Sequence, residues 1–152
     1  MTSSELWLFL HLGAMAVWIG GGVTGQVFGV LAKRAGDPAR TAAFGRDLAF
    51  VVSRIFMPAS LVVLVSGVLL VGDGNWDWSE PFIVFGLVGW AVVAGAAFGY
   101  ISPQMRKASV RLAAEGPSPE LVGRVNSLVL GARVLLLALF VIVFVMTAKP
   151  GT

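Results

Sequence analysis

The sequence predicts an all-α protein, a four-helix transmembrane bundle, and three observations carry that prediction. The first is composition: 57% of the 152 residues are hydrophobic and only 12% are charged, against roughly 25% charged in an ordinary soluble domain. A chain with a mean hydropathy of +0.88 cannot hide its apolar surface in one small core, and lipid is the solvent that removes the surplus. The second is length. A bilayer core asks for about 20 apolar residues of helix, and four stretches qualify, approximately Leu6–Ala32, Ile55–Val71, Pro81–Ile101 and Leu128–Ala148. The third is charge, which the connections between these stretches segregate by sign.

Helix one follows a short segment that holds Glu5 and no Lys or Arg. That is the wrong flank for a secretory signal, and the apolar run is long enough to span, so the sequence predicts a retained helix. Helix two is the shortest span, flanked by Arg54 and the turn-rich GDGNWDWSEP. Asp37-Pro38 offers a capping residue followed by a proline at the first helical position, so the helix should start well before the span. Phe44, Leu48, Val51 and Ile55 then recur at helical spacing and continue the seam into it. Pro58 should kink it. Ser79 with Pro81 should begin helix three. Ser118-Pro119 should begin helix four, with Leu121, Val125, Leu128 and Ala132 as its seam. All four segments must be helical, because unpaired backbone groups in lipid cost several kcal/mol each. The domain organisation expected is a single transmembrane domain over residues 1–152, with spans at about 6–32, 55–71, 81–101 and 128–148.

Orientation follows from the loops. Lys33, Arg34, Arg40, Arg46 and Arg54 separate helices one and two, and Arg106, Lys107, Arg111 and Arg124 separate three and four. The loop between two and three carries Asp73, Asp77 and Glu80 and no basic residue. By the positive-inside rule both termini lie outside, and the extensions of helices two and four lie in the cytoplasm. In a bacterium this places the protein as a multi-pass protein of the inner membrane. The excess of basic residues flanks apolar runs and forms no separate basic face, which excludes a nucleic-acid partner; membrane lipids are the partners expected. Asp73, Asp77 and Glu80 match no calcium loop and read as a solvated acidic loop.

Gly21, Gly25 and Gly29 form a small-xxx-small ridge on helix one, and Gly95 with Gly99 a shorter one on helix three. Such faces let helix backbones approach closely, within the bundle or across a homodimer or larger complex. GQVFG at 25–29 and GAAFG at 95–99, each followed by basic residues, hint at two hairpin repeats. Arg133 falls within the fourth span, where a cation snorkels, pairs or meets a ligand anion; Asn126 and Gln26 are neutral donors at similar depth.

The absence of cysteine excludes disulfides, thiolate metal sites and cysteine nucleophiles,. No paired carboxylates, nucleophile–base set or phosphate loop occurs in the spans, so the residues argue against an enzyme. One titratable group remains: His11, the chain's only histidine, lies within helix one. A neutral imidazole bonded to a carbonyl is one reading of it. Zinc or copper wants more protein ligands than one histidine supplies. Haem b needs fewer, and methionine can complete the pair. Depth then selects Met146 as the partner of His11, with Met15 and Trp18 lining the pocket and Arg133 available to an acidic group.

His11 followed by WIGG at 18–21 resembles the first-helix pattern of the copper-resistance membrane domain family and, more loosely, the haem-binding protoporphyrinogen oxidase family. With the connection KRAGDPAR and the terminal MTAKPG, the whole chain is similar to a bacterial predicted integral membrane protein family, the 2269 domain-of-unknown-function family. The resemblance implies a four-helix bundle in the bacterial cytoplasmic membrane and makes His11 the position to watch. GGGVTGQVFGVLAK stands where the oxidase family has a tyrosine, a proline-arginine and a second histidine. The expected function is a small cofactor-binding module with a redox or electron-transfer role. An accessory subunit of a membrane complex and a small-solute or copper transporter are the alternatives. Topology has a direct test, since the chain holds no cysteine of its own: Asn75→Cys should react with a membrane-impermeant maleimide from the outer face only, and labelling from the cytosolic face alone would reverse the assignment.

Overall fold

The computed structural model describes residues 2–149. Four helices long and apolar enough to cross a membrane make up the fold: α1 (Ser3–Arg34), α2 (Pro38–Asp73), α3 (Pro81–Glu115) and α4 (Pro119–Ala148). Three of them begin where side-chain capping chemistry dictates. Thr2 caps α1 in a capping box with Glu5, Asp37 accepts from the Ala39 N–H ahead of α2, and Ser118 accepts from the Leu121 N–H ahead of α4. The cap of α3 differs from expectation. Glu80 occupies that position with no side-chain bond, because Ser79 is taken up by Asp77, whose carboxylate accepts from both the Ser79 N–H and hydroxyl. Those two bonds favour the ionised form and hold the Asp77 carboxyl below its ordinary range,.

The helices pair as two antiparallel hairpins, α1 on α2 and α3 on α4, joined across the bundle. One end carries the connections rich in Lys and Arg, here the basic end; the other carries the GDGNWDWSEP loop, the acidic end. There Trp76 meets Phe82 edge to face at 5.3 Å, and Lys149 places its ammonium 4.2 Å from the Trp76 ring centre, tying the end of α4 to the loop,. Large apolar side chains point outward along every helix, with Phe9 and Phe144 each 70% exposed; in lipid this is the solvated surface.

Two cores hold the helices together. One surrounds Trp18, Phe56, Val63, Val93, Leu139 and Ile142. A smaller one at the basic end joins Ala42, Ala108, Leu112 and Leu121. The second core exists because α3 runs on to Glu115, well past the Ile101 end that apolarity alone marks, and packs against the start of α2. Where this extension ends, Arg111 grips Glu115 through Nε and Nη2 at 3.2 and 3.1 Å. The pair pushes the arginine up and the Glu115 carboxyl down from their ordinary values.

Prolines shape both long inner helices. A run of wide π-helical turns at Val52–Phe56 ends with the Met57 N–H donating to the Val52 carbonyl, and a second at Gly95–Ile101 ends with the Ser102 N–H donating to the Ala97 carbonyl. Pro58 and Pro103 follow one residue later. Neither can donate to the preceding turn, and its ring crowds the carbonyl four residues back. The wider turn carries the helix past this obstacle, so Pro58 changes the winding of α2 and Pro103 fails to end α3.

The glycine ridge of helix one lies against α2. A Cβ at Gly21 would strike the Phe56 ring, at Gly25 would sit 3.4 Å from Leu48, and at Gly29 3.3 Å from Phe44. Within the chain Gly95 and Gly99 form no packing ridge: a Cβ at either would meet nothing within 4 Å. Both lie in the π-helical stretch, whose altered winding turns them away from the neighbouring helices, and the echo between GQVFG and GAAFG does not extend to their surroundings. The tightest glycine contact lies elsewhere, at Gly45, where a Cβ would overlap the side chain of Ser109. Gly45→Val should therefore cost about 1–3 kcal/mol by overpacking, whereas Gly95→Ala should leave stability unchanged or raise it by up to about 1 kcal/mol. Equilibrium unfolding in mild detergent measures both.

Candidate functional site: a cavity between helices one and four

His11 is placed by α2. Its Nδ1 lies 2.9 Å from the Val63 carbonyl oxygen and 3.2 Å from the Ser66 hydroxyl. Ser66 gives its own proton to the Val62 carbonyl, so its oxygen faces the imidazole as an acceptor. Two acceptors at one nitrogen assign the proton to Nδ1. Nε2 then keeps its lone pair, and it makes no hydrogen bond to the described residues. Gly67 lets the ring approach this closely, since a Cβ there would stand 3.1 Å from the imidazole Cε1.

The other residues expected around His11 are distributed differently. Met146 lies against α3, where a Cβ at Gly86 would meet its sulfur at 2.8 Å. Met15 packs on the main core beside Trp18. Trp18 stacks on Phe98 at 5.8 Å between ring centres. Arg133 bonds across to α1, its Nε donating to Gln26 Oε1 at 2.9 Å.

Arg133 and Trp18 share a cavity of about 520 Å³ that His11, Met15 and Met146 do not line. The cavity occupies the half of the bundle toward the basic end. Its walls are mainly apolar, among them Leu48, Phe56, Phe98, Leu135 and Leu139. On α1 the lining runs from Trp18 to Lys33, about 22 Å at 1.5 Å per residue. Both π-helical stretches contribute to the wall, through Val52 and Phe56 on one side and Ala97, Phe98 and Ile101 on the other. Gly22, Gly25 and Gly29 contribute backbone without side chain. The space thus lies where two helices wind widely and a third is bare.

Polar groups concentrate on one seam of this cavity, between α1 and α4. Besides the Arg133–Gln26 bond, Lys33 Nζ donates to Asn126 Oδ1 at 2.8 Å. Gln26 and Lys33 are seven residues apart, as are Asn126 and Arg133, which is about two turns of helix. Each pair therefore occupies one face, and the two faces meet in antiparallel register. The repeat is visible in the sequence once both helices are read together; taken singly, Lys33 looks like a flanking charge and Asn126 like a stray amide. Among the described residues no carboxylate lies within ion-pair distance of Arg133 or Lys33. The carboxylate on the lining, Asp37, is engaged in capping α2. Among the described residues no group of three or more acidic or histidine side chains could hold a metal ion.

Long apolar helices, a lipid-facing surface and polar groups bonded across the bundle describe a membrane protein, and a sequence comparison agrees with it over residues 5–150. The chain belongs to the family described as predicted integral membrane protein (DUF2269). That description states membrane integration and names no ligand or reaction. No curated protein and no solved structure matches the chain. The DUF2269 match spans nearly all of the described fold, so the four helices and the cavity between them both fall within the family's region.

Proposed function

We propose that this protein is a multi-pass binding module of the bacterial cytoplasmic membrane, with its basic end in the cytoplasm, and that it takes a slender apolar or amphiphilic molecule into the cavity between α1 and α4. The observation that carries this reading is the cavity. Its volume of about 520 Å³ falls within the roughly 300–1,000 Å³ of ordinary small-molecule sites. Spread along about 22 Å of helix, that volume makes a slot, a shape suited to a chain lying along the helices. The slot opens to the bilayer, since Lys33, Leu130 and Arg133 on its lining are exposed, and an apolar recess of this size beside three glycines suits an occupant. Binding, carriage or presentation of such a molecule fits the site; no side chains arranged for bond-breaking chemistry line it.

A second reading, haem b held by His11, is favoured by one observation. The Nδ1–H bond to the Val63 carbonyl leaves Nε2 as the free donor, the arrangement that metal-bound histidines adopt. Met146 and Arg133 do not complete such a site, because the first packs on α3 and the second lines a cavity that His11 does not reach. His11 alone would carry the iron.

Two measurements separate the readings. A long-chain alcohol at about one hundred times its Kd should stabilise the detergent-solubilised protein by about 2.7 kcal/mol, and Ala132→Phe, which projects a ring from the cavity lining, should abolish the effect; no stabilisation by any chain-like ligand would sink the binding reading. In an optical spectrum of protein purified from haem-replete cells, the cavity reading expects no Soret band. A Soret band that disappears in a folded His11→Ala variant would establish the haem reading instead.

A further inference from the structure

We infer that the occupant of the cavity is an anionic amphiphile, its head held between Arg133 and Lys33 at the seam of α1 and α4 and its chain running toward Trp18. This inference rests on the binding reading above and adds the charge and orientation of the ligand.

The argument starts from Arg133. A guanidinium has five N–H groups and cannot be deprotonated in a protein. One of them serves Gln26, and the others make no hydrogen bond to the described residues. Arg133 is exposed and lies about five residues inside the basic end of the fourth span, a depth at which a cation snorkels to the boundary, pairs or meets a ligand anion. Lys33 stands two turns away along the same seam, likewise with an amide as its only hydrogen-bond partner among the described residues. Both cations therefore meet neutral oxygen acceptors that position them without cancelling their charge. A carboxylate or phosphate placed between them would supply the missing counter-charge, and arginine's planar fork suits either.

The remaining lining fixes the direction of the chain. Above Arg133 the wall toward Trp18 and Leu139 is apolar and includes Val93, Phe56 and Phe98. Below it, toward the basic end, apolar residues such as Phe44, Leu112 and Val125 alternate with Thr41, Ser109 and Asp37, the last engaged in capping α2. A head at the Arg133–Lys33 level and a tail toward Trp18 matches this gradient, and the reverse orientation would set a charge among aromatic rings. Entry is sideways from the bilayer: Gln26 and Asn126, the groups that close the seam, are side-chain amides that can rotate, whereas α1–α2 and α3–α4 are closed by packed side chains.

The test is a competition on the wild-type protein in neutral detergent, read by native mass spectrometry, among oleate, oleoyl lysophosphatidate and oleyl alcohol, which share one chain and differ in the head. The inference expects both anions to bind at least roughly tenfold tighter than the alcohol, the effect of one charge-assisted contact, and the tighter of the two identifies carboxylate or phosphate as the natural head. Arg133→Gln should weaken the anions roughly tenfold and leave oleyl alcohol unchanged, with Arg133→Lys retaining part of the preference. Equal binding of all three by the wild-type protein would overturn the anionic head and leave the binding reading standing. Binding of none would overturn the binding reading itself.

Discussion

Lipid supplies no hydrogen bonds, and that single constraint organises this protein. In hydrocarbon each unpaired backbone or side-chain polar group costs several kcal/mol, so the chain crosses as helices and must settle every exception within itself. Prolines are the first exception. Pro58 and Pro103 remove donors from α2 and α3, and each helix answers with wide turns just upstream. Those turns also displace side chains from the packing register of an ordinary helix. Residues of both stretches line the slot, together with Gly22, Gly25 and Gly29 of α1, so the cavity lies where the backbone accommodates proline under the demand for full hydrogen bonding.

The same constraint explains which polar side chains occur inside the bundle. Ser60, buried, donates to the Met57 carbonyl one turn back, while its own carbonyl accepts from the Trp90 indole at 2.9 Å. Ser66 bonds its own helix and offers its oxygen to His11. Among the described residues no buried side-chain nitrogen or oxygen lacks a partner. Polar contacts thus stitch α1 to α2, α2 to α3 and α1 to α4. These bonds fix register where apolar packing alone would tolerate sliding, since lipid gives helices no hydrophobic reason to prefer one alignment.

How much of this was legible in the sequence depends on the range of the signal. Local chemistry was readable: Asp37-Pro38 and Ser118-Pro119 start helices where their caps predict, and the four spans follow from apolar length alone. Non-local consequences were not. Apolar length ends the third span at Ile101, and only the tertiary contact of Ala108 and Leu112 with Ala42 shows why continuing the helix is favourable. Gly95 and Gly99 have the spacing of a packing ridge, but winding decides which way they face, and winding is set by a proline that follows them. At the site, Arg133, Gln26 and Asn126 stood out as polar groups within apolar runs, while the partnership of Lys33 with Asn126 required the register between α1 and α4. Depth placed His11 and Met146 at one level; it could not show that each turns to a different neighbour.

His11 and Arg133 are the two ionisable side chains that sequence inspection singles out within the spans, and the fold treats them in opposite ways. The imidazole Nδ1 meets two acceptors from α2, the Val63 carbonyl and the Ser66 hydroxyl, so the chain itself answers that side of the ring. The guanidinium is given one neutral acceptor and then set on the wall of an open slot. Among the described residues no carboxylate lies within ion-pair distance of it, and the carboxylate on the slot's lining, Asp37, caps α2. A cation fixed by an amide that leaves its charge uncancelled, facing space that apolar walls extend on one side, is half of an ion pair. In the anionic reading inferred above, the other half comes from outside the chain, and charge, more than volume, then selects what enters the slot.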